Sequence, residues 1–85
     1  MFGESARMEE IDKKIADPWL RRRLAENIRR LRLEGGLSQE FLSEKCGFHR
    51  TYVSQVERSV ANITLDNLQR LAEALEQDPG ALLKG

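Results

Sequence analysis

Apolar residues recur at helical spacing along nearly the whole chain, and no stretch shows the period-two alternation of a strand. Met8, Ile11 and Ile15 predict a short amphipathic helix over residues 4–16. Asp17-Pro18 then interrupts the pattern. Aspartate suits an N-cap and proline the first helical position, so a new helix is expected to start at Pro18. Leu20, Leu24, Ile28 and Leu31 form its apolar stripe, with Arg21, Arg22, Arg23, Arg29 and Arg30 on the other faces. Trp19 reads as a core anchor, and Gly35-Gly36 as the left-handed stop. Ser38 caps a helix over about residues 39–46, in which Phe41 and Leu42 point inward, with Lys45 and Cys46 a turn later. Gly47 makes a turn and Phe48 fills the corner before a helix over about residues 50–58, with Val53 and Val56 on its inner side. After a loop from Ser59 to Ile63, Thr64 caps a helix with the stripe Leu65, Leu68, Leu71, Ala72 and Leu75. Asp78-Pro79 repeats the cap-plus-proline signal ahead of a last turn carrying Leu82 and Leu83. The pattern predicts an all-α, compact five-helix domain over residues 18–85, preceded by an arm with an extra helix over residues 1–17.

Composition narrows the chemistry. With 85 residues there is room for one small domain, without the depth for a lidded catalytic pocket. The chain is 33% charged and 40% hydrophobic, a globular balance, and no apolar run approaches the roughly 18 residues of a membrane span. Charges in Met1 to Glu10 replace the apolar stretch of a signal peptide, so a cytoplasmic protein with no membrane partner is expected. One cysteine allows no internal disulfide and one histidine no metal cluster, so neither metal nor cofactor is expected. Cys46 reads as a small buried hydrophobe and His49 as a backbone contact. No nucleophile–base pair stands out, and Gly35-Gly36 lacks the spacing and preceding strand of a phosphate loop. The chain does not read as an enzyme.

A net charge of zero conceals an uneven distribution. Residues 1–17 carry three basic and five acidic side chains, residues 18–58 nine and five, and residues 59–85 two and four. Positive charge therefore gathers on the segment that includes the two short helices around Gly47, with six of the nine basic residues on the one helix that precedes them. That is the distribution an oriented contact with nucleic acid requires. The run from Ser38 to Arg58, pivoting on Gly47, has the makings of a helix-turn-helix. One helix braces on the phosphate backbone while the next enters the major groove.

Ile28-Arg29-Arg30-Leu31-Arg32, Gly36-Leu37-Ser38-Gln39-Glu40, Gly47, the run Tyr52 to Arg58 and the helix Leu68 to Leu75 agree together with one family. Residues 24–83 resemble the phage-repressor and Cro-type (Xre) helix-turn-helix regulators, which implies a lambda-repressor-like fold. Arg50-Thr51-Tyr52, Glu57-Arg58 and Asn62-Ile63-Thr64-Leu65 look most like controller proteins of restriction–modification systems, small dimeric regulators that bind two-fold symmetric operators near their own promoters.

The resemblance implies roles for particular residues. Ser38 and Gln39 open the bracing helix, where they would grip a phosphate. Arg50 and Thr51 would reach base edges, and an arginine there can donate two hydrogen bonds to guanine, worth about 1–3 kcal/mol of discrimination. Tyr52, Ser54 and Gln55 flank this tip and Asn62 is a further phosphate candidate. Arg32 and Glu57 correspond to an ion pair joining the first helix to the recognition helix. Two departures stand out: Ser43 where the family usually has alanine, and Val60-Ala61 where relatives often have a basic residue. Leu65, Leu82 and Leu83 are the expected homodimer interface on double-stranded DNA. A second reading is an antitoxin-like interaction module in which the arm from Met1 to Ile15 holds another protein.

Overall fold

A computed structural model describes residues 15–85. Five helices follow one another: α1 (Trp19–Glu34), α2 (Gln39–Lys45), α3 (Tyr52–Glu57), α4 (Leu65–Ala74) and α5 (Pro79–Leu82). Among the described residues there is no strand, as the periodicity predicts, and no helix is long and apolar enough to cross a membrane. The extra helix expected over residues 4–16 and the arm proposed to hold a second protein lie outside the described residues. The exceptions, Ile15 and Ala16, are not helical.

The caps behave as their chemistry requires. The Ser38, Thr64 and Asp78 side chains accept hydrogen bonds from the backbone N–H groups of Phe41, Asn67 and Gly80, each satisfying a donor that the first helical turn leaves free. Asp17 differs from expectation. Its carboxylate pairs with Arg22 at 2.7 Å instead of capping, and α1 starts at Trp19 with Pro18 in the cap position.

The first four helices end alike. The Gly36, Gly47, Ser59 and Glu76 N–H groups each bond back to the carbonyl three residues earlier, and the N–H of each following residue to the carbonyl five before it. All four residues have positive φ, between 57° and 79°. This closure satisfies the orphan carbonyls of the last turn and sends the chain off at a sharp angle.

Leu24, Ile28, Leu42, Val53, Val56, Leu68, Leu71 and Leu82 form one buried cluster, with Leu31, Phe48 and Leu75 packed around it. Burying each large aliphatic side chain contributes about 1.5–3 kcal/mol. α1 packs on both α3 and α5, α2 on α3, and α4 on α5, so the two short helices of the motif rest on one core.

Four inward assignments are corrected, one of them Leu20, which is 44% exposed in the first turn of α1, ahead of the point where its stripe meets the core at Leu24. Phe41 is 53% exposed, since the side of α2 facing the core is made by Leu42, Ser43 and Cys46, leaving Phe41 and Lys45 at its flanks. Trp19 is 52% exposed, projecting from the first turn of α1 with the Arg23 guanidinium 5.0 Å from its ring. Leu65 is 82% exposed, so the stripe of α4 reaches the core only from Leu68 onward.

Candidate nucleic-acid interface

The angle between α2 and α3 is set by buried polar chemistry. The Ser43 hydroxyl, fully buried, donates to the Gln39 carbonyl at 2.8 Å and accepts from the Val53 N–H at 3.0 Å. Val53 lies in the first turn of α3, where N–H groups have no partner within the helix. One side chain on the bracing helix thus caps the next helix from the side. The bond back to the Gln39 carbonyl is the one a serine inside a helix commonly makes, and the bond to α3 is the part that sequence reasoning missed.

A second network ties α1 to both motif helices. Arg32 Nε and Nη2 donate to the two oxygens of Glu57 at 2.6 and 3.0 Å, and Nη1 donates to the Leu37 carbonyl at 2.8 Å. The Gln39 amide donates to the same Glu57 carboxylate at 2.9 Å. The two charged side chains are only 8% and 3% exposed. The hydrogen-bonded Glu57 carboxylate raises the Arg32 pKa further, against the lowering effect of burial. Among the described residues no buried side-chain polar atom lacks a partner. A bidentate pair of this kind fixes orientation more than it adds stability.

Arg50 and Thr51 stand exposed in the turn before α3, which begins two residues later than expected. The turn is closed locally, with the Thr51 N–H donating to His49 Nδ1 at 3.3 Å and the Thr51 hydroxyl 2.9 Å from the same nitrogen. Gln55 is exposed on α3, and the half-buried Ser54 donates its hydroxyl to the Thr51 carbonyl at 2.9 Å. Tyr52 is half-buried, its ring 4.3 Å from that of Phe48 and its hydroxyl accepting from the Asn67 amide at 3.1 Å. Ser38 is exposed beside Gln39 at the start of α2. Asn62 is apart from this group, exposed at the rim of an apolar groove that Val60 and Leu65 also line.

Cys46 is buried as expected, its thiol 3.6 Å from the Arg70 carbonyl. Burial pushes its pKa up, with the positive charges of Lys45 and Arg70 pulling partly the other way. It packs in the core, and burial disfavours its thiolate form.

Leu82 requires a correction. It is fully buried in the chain's own core, clamped by the Asn27 amide of α1, which donates to the Leu82 and Lys84 carbonyls at 2.8 and 2.9 Å. It has no surface to offer a second copy. Leu83 is half-buried and borders the groove with Leu65.

Two short helices set at a fixed angle, with hydrogen-bonding side chains exposed at the entry to the second, define a helix-turn-helix DNA-binding domain. A family model described as helix-turn-helix matches residues 28–82. The chain is 50% identical over 60 residues to the control protein C.SmaI of Serratia marcescens, covering 71% of each chain. Its fold is similar to the crystal structure of the hypothetical transcription factor NHTF from Neisseria, with a TM-score of 0.75 and 44% identity, covering 85% of this chain and 84% of that one. The restriction–modification controller protein C.AhdI from Aeromonas hydrophila matches with a TM-score of 0.70 and 40% identity, covering 73% of this chain and 94% of that one. The chain belongs to the helix-turn-helix family of Xre/Cro type. Within it, this DNA-binding transcriptional regulator is closely related to the restriction–modification controller proteins.

Proposed function

We propose that this regulator binds a two-fold symmetric operator as a homodimer, with α3 in the major groove, and acts on its own promoter. The observation that carries the reading is the exposure of Arg50, Thr51 and Gln55 at one end of a recognition helix whose orientation two buried networks fix. Arg50 and Thr51 read base edges, with Gln55 beside them. Ser38 and Gln39 face a phosphate, and Tyr52 and Ser54 shape the surface between. Asn62 contacts the backbone farther along the duplex.

The dimer joins through the apolar groove of about 960 Å³ at the start of α1 and α4, where Trp19, Leu20, Val60 and Leu65 are exposed. Leu65 and Leu83 belong to this face. Kinship with controller proteins supports the regulatory role.

Selection of bound duplexes from a random pool by the purified protein tests the reading. The expected result is a symmetric motif with half-sites about one helical turn apart. Arg50→Ala is expected to weaken binding to that motif by about 1–3 kcal/mol while sparing non-specific binding. No enrichment by a folded protein, or equal losses on both kinds of DNA, would contradict it.

A further inference from the structure

Among the arginines of α1, Arg29 stands in an unusual position. Arg22 is paired with Asp17 at 2.7 Å and Arg30 with Glu34 at 3.6 Å, both on the helix's own side of the molecule. Arg29 instead reaches toward the motif, with Nη1 3.9 Å from Glu57 Oε1. That oxygen already accepts hydrogen bonds from Arg32 and from the Gln39 amide. Arg29, one turn before Arg32 on the same face of α1, therefore converges with Gln39 on a single acceptor.

The charges there do not cancel. Two guanidinium groups meet one carboxylate, and Arg32 takes both of that carboxylate's oxygens. Glu40 acts on Arg32 only at range, without an ion pair among the described residues. Glu57 is 3% exposed and shielded, whereas the Arg29 side chain is 64% exposed. The excess positive charge thus faces solvent beside the first residue of the bracing helix, and its anionic partner inside the protein is saturated.

We infer that Arg29 is a phosphate-binding residue for the DNA backbone, holding the phosphodiester next to the one Gln39 faces. The inference rests on the placement of Gln39 at the backbone proposed above. Glu57 serves both functions: it orients the recognition helix through Arg32 and steers the Arg29 guanidinium toward the duplex. Contact of this kind adds affinity without sequence information and releases a counterion.

The test is the salt dependence of binding to the selected operator and to an unrelated duplex, for wild type, Arg29→Gln, Arg29→Lys and Arg30→Gln. The slope of log K against log salt is expected to fall by about 0.9 for each phosphate that Arg29→Gln leaves unneutralised, by the same amount on both duplexes. Arg29→Lys retains the slope, and Arg30→Gln leaves it as in the wild type. An unchanged slope in Arg29→Gln, or a loss confined to the operator, overturns the assignment while leaving the regulator reading intact. Absence of DNA binding by the wild type overturns both.

Discussion

The helix-turn-helix junction and the groove at the start of α1 and α4 invert the usual rule of polar outside and apolar inside, in opposite ways. At the junction, the side chains of Arg32, Glu57 and Ser43 are buried, yet each is hydrogen-bonded. At the groove, Trp19, Val60 and Leu65 are apolar and more than half exposed. The junction joins three helices by directional bonds, so α3 has one permitted orientation on α1 and α2. The groove is walled mainly by apolar side chains, with Arg21, Asn62 and Thr64 among them, and its exposed apolar surface is non-directional and costs free energy in water. Directional chemistry serves to aim the recognition helix, and in the proposed dimer non-directional surface joins the copies.

The largest effect is expected at Glu57. Glu57→Ala leaves the Arg32 guanidinium buried without its carboxylate, a change expected to cost about 3–5 kcal/mol in urea unfolding. A cost below about 1 kcal/mol, the level of an exposed pair, would show that the junction is no more than surface electrostatics.

Ser43→Ala is the next test. The Val53 N–H loses its acceptor inside the core, and a loss of about 1–3 kcal/mol is expected. Because alanine is the family's usual residue here, the domain should keep its fold. Neutrality in unfolding measurements would mean that another group takes over that N–H.

At the groove the expected effect on the single chain is smallest. Val60→Ser, at a side chain 59% exposed, should change the stability of a monomeric form by no more than about 0.5 kcal/mol. A much larger loss would assign Val60 to the chain's own core.

Most of the fold was legible because helix ends carry local chemistry. Ser38, Thr64 and Asp78-Pro79 announced three starts, and Gly36 and Gly47 two of the stops. The same left-handed closure at Ser59 and Glu76 uses residues with no preference for it, so nothing local in the sequence marks those two ends. Periodicity located the apolar stripes but not their edges. It could not tell that Phe41 and Trp19 overhang the core while Leu82, three residues from the end of the chain, is enclosed by it. At the site, the Arg32–Glu57 pair came from the family resemblance and is present. The bonds from Ser43 to Val53 and from Asn67 to Tyr52 join residues 10 and 15 positions apart, and only the folded chain brings them together. Arg29 could have been found, since it precedes Arg32 by three residues and so shares its face.

The division of labour between the two regions is tested most directly by sedimentation of Leu65→Asp beside the wild type. The side chain is 82% exposed, so a single folded copy tolerates the charge, whereas an apolar contact between copies does not. The expected result is a dimeric wild type and a monomeric variant of unchanged helicity. A variant that still sediments as a dimer, or a wild type that is already monomeric at concentrations where it binds its operator, would contradict it.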